Sequence, residues 1–328
     1  LGDRLDRAGY LGDLRERDPE QHYRTRRWLQ EARREVASDL HVYRTYVRPK
    51  ATTEGERGRV TLAVEAAARR NAEIDAELLD FVGELLLMEH EGEPESEFAA
   101  RFQQFTPAVM AKCVEDTAFY RFNRLASLNE VGGDPGTFGR PVEAFHAYCS
   151  RMAAGWPATM LTLSTHDTKR SSDVRSRLSL LSEIPSEWDA AVHRWAEHNE
   201  RYRSQGYPDR GIEYLLYQTL VGAWPIDVAR LTQALMKSAR EAKLHTSWIN
   251  PITVYEDALA QFCDKVMADA EVLGDLQTFI GRHQLVARGR PTSLAPPALL
   301  LTSPGVPDRS QGPETLDLSL VAPAHPPP

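Results

Sequence analysis

The sequence of 328 residues lacks most of the signatures by which a protein announces a cofactor or a compartment. No stretch approaches the ~20 consecutive apolar residues that span a bilayer, and residues 1–30 are too charged for a signal peptide. A reducing cytoplasm is therefore the default expectation, with no membrane partner. Neither a Walker A loop nor G-x-G-x-x-G is present, so no nucleotide cofactor is expected. H-E-x-x-H and C-x-x-C spacings are also missing and the ten histidines are scattered, so no metal site is expected. Cysteine is scarce: Cys113, Cys149 and Cys263 are odd in number and far apart, and are read as free thiols. Excess positive charge is missing too. A formal charge of -8 and a pI near 5.7 argue against a protein that neutralises a phosphate backbone, and nucleic acid is not an expected partner. The basic clusters at 24–27 and 33–34 alternate with acids at helical spacing and read as solvated helix faces. The first residue is Leu rather than Met, which suggests a chain that begins inside a longer product.

What is present is mainly helical. Residues 5–40 are charged with intermittent apolar positions, consistent with one or two surface helices. His41–Val47 (HVYRTYV) alternates with period two and is read as a short strand stopped by Pro49. Residues 59–88 read as a helix with Ile74, Leu78, Phe81, Leu85 and Met88 on one stripe, 89–97 as an acidic loop, and 98–128 as helix again. The glycines and proline of 131–136 force a turn. ATMLTLS (158–164) reads as a buried strand opening onto a polar cluster. Ser186 is read as the cap of a helix presenting Trp188, Val192 and Trp195, with further helices at 211–222, 227–241 and 252–270. Leu299–Thr302 is a second candidate strand, and the tail after Leu320 has no core-forming content and is expected to be disordered.

The chemistry-bearing residues cluster in two places. His166-Asp167-Thr168-Lys169-Arg170 follows an apolar strand, which is where barrel enzymes place catalytic groups. Taken alone, the cluster reads better as a helix-capping Asp beside a solvated basic pair. Around 110–122, Lys112 and Glu115 are three apart and share a helix face, as an ion pair or as a hydroxyl-binding couple. Glu115 and Asp116 lie about 100° apart on an α-helix and cannot form an acid–base pair in one cleft. Phe119, Tyr120, Phe122 and Trp156 could stack on sugar rings, but more often such residues are core.

Two long blocks change that balance. MAKCVEDTAFYRFNRLASLNEVGGDPGTFG (110–139) and WPATMLTLSTHDTKRSSDVRSRLSLLSE (156–183) closely resemble the maltooligosyltrehalose synthases, members of the α-amylase-like glycoside hydrolase family 13. VYRTYV (42–47), RFQQFTPAVMAK (101–112), LLYQTLVGAWPI (215–226), KSAREAKLHTSW (237–248) and LTSPGVPD (301–308) extend the resemblance in order. It implies an isomerase, a glucosylmutase acting by intramolecular transglucosylation. The reducing-end α-1,4 bond of a maltooligosaccharide would become an α,α-1,1 (trehalose) bond through retaining-type chemistry. By the same resemblance Asp167 matches the carboxylate after the seventh barrel strand that supports the transition state, and His166 the histidine that bonds the reacting sugar. Lys169, Lys112 and Glu115 would contact substrate. No cofactor is implied, and a maltooligosyltrehalose trehalohydrolase would be the pathway partner.

The departures are as informative. The family's nucleophile and acid/base carboxylates have no counterpart here, so the chain by itself is expected to be inactive. Cys113 replaces a usual glycine, and after residue 308 the pattern is followed only in part, with Arg309, Ser310 and Pro313 in place of the usual aromatic and acidic residues. The expected fold is α/β and helix-dominated: the C-terminal portion of a (β/α)8 TIM barrel with a large helical insertion. The expected division is a helical segment and barrel strand (1–48), an insertion lining the cleft (49–155), the last barrel strands and their helices (156–320), and a tail (321–328). Open strand edges in such a portion predict aggregation of the isolated chain. A non-catalytic maltooligosaccharide-binding remnant and a helical interaction protein stand as alternatives.

Overall fold

A computed structural model describes residues 18–165, 167–308 and 315–320, without the side chains of Pro19 and His22. The expectations for 1–17, for His166, for 309–314 and for the tail lie outside the described residues. The chain divides between Val114 and Glu115 into two compact units.

Among the described residues the first unit holds four α-helices. α1 (Pro19–Ser38) starts where the Asp18 side chain accepts the Gln21 N–H and proline occupies the first turn, where its missing N–H costs nothing. α2 (Glu54–Arg70) opens with a capping box between Thr53 and Glu56. α3 (Ala76–Leu86) is capped by Asp75. The single helix expected over 59–88 is thus two, because Asn71 ends one and Asp75 begins the next. Gly83 lets α3 approach α2, since an added Cβ would lie 3.1 Å from Val64 Cγ2. α4 (Glu93–Val109) begins inside the stretch expected to be loop. Leu29, Val36, Val60, Val64, Leu79, Val82, Leu85, Phe98 and Phe102 form the shared core.

His41–Val47 is not a strand here. A strand exists only beside a partner, and among the described residues the one ladder pairs Met160–Thr162 with Val306–Asp308. Side chains satisfy its backbone instead: Tyr46 N–H donates to Glu56 Oε1 at 3.0 Å, and Gln103 Nε2 donates to Val47 O at 3.0 Å. Pro107 interrupts the α4 hydrogen-bond ladder, and the chain widens into a π-helix over Met110–Ala118.

The second unit is organised around one central helix. Its elements are α5 (Val142–Gly155), β1 (Met160–Thr162), α6 (Ser172–Ser179), α7 (Pro185–Asn199) and α8 (Arg210–Ala223), then α9 (Val228–Ala242), α10 (Thr253–Ala268), α11 (Ala270–Arg282), α12 (Leu285–Thr302) and β2 (Val306–Asp308). α8 is buried on nearly every face from Ile212 onward, as expected of a helix at the centre of a bundle. Gly222 sits where a Cβ would come within 2.9 Å of Leu178, which allows α6 to close on α8. α12 also packs against α6. The expected tryptophan face of α7 is present, with Trp188 and Trp195 ring centroids 5.8 Å apart in the core. Its cap is not Ser186: Pro185 occupies the first turn after Ile184, and no side chain caps the helix.

β1 and β2 pair in parallel, Met160 opposite Val306 and Thr162 opposite Asp308. β1 is not buried as expected, for Met160 is 72% exposed. Leu299–Thr302 is the last turn of α12, not a strand; the ladder forms after Pro304-Gly305, one loop later. No helix among the described residues is long and apolar enough to cross a membrane.

Candidate functional site at the end of the first strand

The loop that follows β1 carries the polar cluster. Thr165 N–H donates to Thr168 Oγ1 at 2.6 Å and Asp167 N–H to Thr165 Oγ1 at 3.3 Å, closing a tight turn that leaves Asp167 exposed. Asp167 does not cap the next helix. Ser171 does, its hydroxyl accepting the Val174 N–H at 3.2 Å, which removes the capping reading of the aspartate.

Lys169, two residues on, is 4% exposed. Its ammonium lies 5.4 Å from the Tyr120 ring centroid and 5.8 Å from that of Phe119, with Asp116 Oδ1 at 4.0 Å. Phe119 and Tyr120 are core residues, whereas Phe122 and Trp156 are exposed. Burial pushes the Tyr120 phenol well above its usual range. Of the pair on the π-helix, Lys112 is exposed and Glu115 buried, with Glu115 Oε1 accepting the Gly132 N–H at 3.0 Å. Among the described residues no three metal-ligating side chains converge.

Beneath the loop lies a group that the sequence reading passed over. Glu130 is 7% exposed, and its Oε2 accepts the Lys169 N–H at 2.7 Å. Burial raises its carboxyl above the usual range, opposed by the Lys169 amide and by Arg175 and Arg170. Arg170 is buried and Arg175 half-buried, and loss of water lowers both from their ordinary values, while Glu130 opposes the shift. Arg170 Nη1 donates to Ala126 O at 3.3 Å, and Arg175 Nη2 donates to Leu163 O. α8 fixes the other side: Gln218 Oε1 accepts from Ala126 N at 2.7 Å and its Nε2 donates to Asn123 O at 2.8 Å. Glu130 was hidden because it sits inside a turn-forming run, LNEVGGDP, where glycines and proline dominate the signal.

A curated relative from Mycobacterium tuberculosis (strain CDC 1551 / Oshkosh), named as a putative maltooligosyl trehalose synthase, is 41% identical over 239 residues, which is 71% of this chain. The chain belongs to the maltooligosyltrehalose synthase family. It spans 30% of that relative's length. Solved structures agree: a maltooligosyltrehalose synthase from Arthrobacter ramosus superposes with a TM-score of 0.78 at 38% identity, over 90% of this chain and 36% of that one. A hypothetical maltooligosyl trehalose synthase from Sulfolobus tokodaii gives 0.72 at 32% identity, over 89% and 38%. No protein-family model matches. The blocks at 110–139 and 156–183 contain Glu130, Asp167, Lys169, Arg170 and Arg175, and Gln218 lies in the block at 215–226.

Proposed function

We propose that this chain supplies the transition-state-stabilising part of a maltooligosyltrehalose synthase site, in which the reducing-end α-1,4 bond of a maltooligosaccharide is rearranged to an α,α-1,1 bond. The observation that carries the reading is the position of Asp167, on an exposed loop two residues before buried Lys169 and directly beyond the C-terminal end of a strand in a parallel pair. In this reading β1 and β2 belong to the last strands of a (β/α)8 barrel, 49–155 is a helical insertion over the cleft, and 156–320 carries the remaining barrel elements.

The chemistry is of the retaining type: one carboxylate attacks the anomeric carbon and a second acts as acid, then base. The released glucose rather than water attacks the glycosyl intermediate. Asp167 stabilises the oxocarbenium-like charge and bonds sugar hydroxyls, and His166 orients the same ring. Lys169, with three donors on one nitrogen, offers bonds to hydroxyls beside Asp167, while Lys112 and Glu115 hold the released glucose. Retaining that glucose is what distinguishes isomerisation from hydrolysis. The nucleophile and the acid/base are not among these residues, so the chain alone binds substrate without turning it over. A maltooligosyltrehalose trehalohydrolase would consume the product, in the cytoplasm.

The test is calorimetric titration of the full 328-residue chain and its D167A variant with maltopentaose, alongside chromatography of the sugar after prolonged incubation. Saturable binding that weakens at least about tenfold in D167A, roughly the worth of one or two hydrogen bonds to a charged group, is expected. No trehalose-ended product is expected. Turnover by the chain would refute its need for other carboxylates, and absence of binding would favour a helical interaction protein.

A further inference from the structure

Two halves of the site meet at one carboxylate. On the scaffold side, Asn129 Nδ2 donates to Phe119 O at 2.8 Å and to Phe122 O at 2.7 Å, and Gly133 N–H donates to Glu130 O at 2.8 Å. A Cβ at Gly133 would lie 2.7 Å from Leu128 O and 2.8 Å from Glu130 O, so the turn that holds Glu130 is closed by a residue that must be glycine. Glu115 then pins the next amide, Gly132 N–H. On the loop side, Leu163 O, the Lys169 N–H and the Arg170 guanidinium reach back to Arg175, Glu130 and Ala126 in turn. The Lys169 tie lies two residues from Asp167.

We propose that Glu130 is the positioning residue of the Asp167 loop: its buried carboxylate, by accepting the Lys169 amide hydrogen, sets where the Asp167 carboxylate stands at the end of β1. A neutral acceptor would make the same bond, but Arg170 is buried and Arg175 half-buried within reach of the Glu130 charge, and two such guanidinium groups without a counter-charge would be costly. Glu130 serves both needs. Its Oε2 is spent on the loop amide, and its Oε1 has no hydrogen-bond partner among the described residues. The importance of Asp167 rests on the functional reading above; the anchoring of its loop does not.

Three variants separate anchoring from charge balance. E130Q keeps an acceptor oxygen at full reach and loses the charge; E130D keeps the charge and retracts the acceptor; E130A loses both. Residue-resolved amide exchange on the full chain reads the Lys169 N–H against core amides of α8. Relative to that core, E130A and E130D should lose about tenfold or more of the protection at Lys169, the worth of one charge-assisted bond, while E130Q loses clearly less. Maltopentaose affinity should follow the same order. Lys169 protection that falls only in step with α8, or a rescue by E130D and not by E130Q, would overturn the proposal and leave Glu130 a counter-ion. If D167A binds maltopentaose as the parent does, the functional reading fails, and the exchange data still decide the role of Glu130.

Discussion

Replacing Gln218 by leucine tests the frame on which the site is built. Gln218 is fully buried on α8 and makes two hydrogen bonds to the segment that leads into Glu130, one from Ala126 N and one to Asn123 O. Leucine matches its volume and makes neither. A buried group left without a partner costs about 1–3 kcal/mol, so the enclosed Ala126 amide is assigned about 2 and the half-buried Asn123 carbonyl about 1. The apolar side chain returns about 1 kcal/mol through burial of carbon in place of the amide. The net loss is about 2 kcal/mol, which for a unit of this size lowers Tm by about 4–8 °C. Urea unfolding followed by tryptophan fluorescence is the assay, since Trp188 and Trp195 lie in the same core. The midpoint should fall at constant slope. A loss below about 0.5 kcal/mol would show that the two bonds are not net contributors and that Ala126 is held by packing alone.

Two further outcomes follow from buried groups. Asp269 accepts from His198 Nε2 and Arg201 Nη2 at 2.8 Å and from the Tyr202 hydroxyl at 2.7 Å, while capping α11 through Val272 N; these bonds, His198 first, hold its carboxyl far below the usual 3.8. A depressed folded value means stability present above the unfolded value and lost as pH falls below about 4 toward the folded one. D269N should therefore be less stable than the parent at pH 7 and flatter in a denaturation series from pH 5 to 2; an equal acid slope would refute it. Thiol labelling should be ordered: exposed Cys113 reacts first, half-buried Cys149 next, and Cys263, pushed up to about 12 by burial, only on unfolding. Prompt labelling of Cys263 in the folded chain would contradict its place in the core.

How legible each element was depended on whether the deciding interaction was local. The helix at 211–222 was readable almost to its ends because Asp209 caps it and a continuous apolar run follows. The turn at 131–136 was equally plain, since glycine and proline act through their own backbone. The break at 71–75 was not, because an apolar stripe runs through it and the stop is two short polar side chains. HVYRTYV has strand composition, yet strand is a relation between segments, and here Glu56 and Gln103 answer its backbone. Leu299–Thr302 shows the ambiguity of a short apolar run, which fits a helix end as well as a strand. At the site, the neighbours of Asp167 in sequence only drew attention to it, and taken alone they favoured a helix cap; its proposed role comes from the resemblance. Glu130 drew none: its meaning comes from Lys169, Arg170 and Arg175, about forty positions away, and from burial that composition does not encode.

The parallel pairing of Met160–Thr162 with Val306–Asp308 has a kinetic side. These partners are separated by α6 to α12, so the ladder can close only after that whole helical stretch has brought its ends together. Loop-closure entropy grows slowly with length, but non-local pairing still waits on the local contacts that shorten the effective loop. The expected order of assembly is helices first, with α12 seated on α6, and the two strands last. Asp167 stands on the segment that is tied down at that final step, so weakening of the distant α12–α6 contact would be felt at the site as slower arrival of a correctly formed loop.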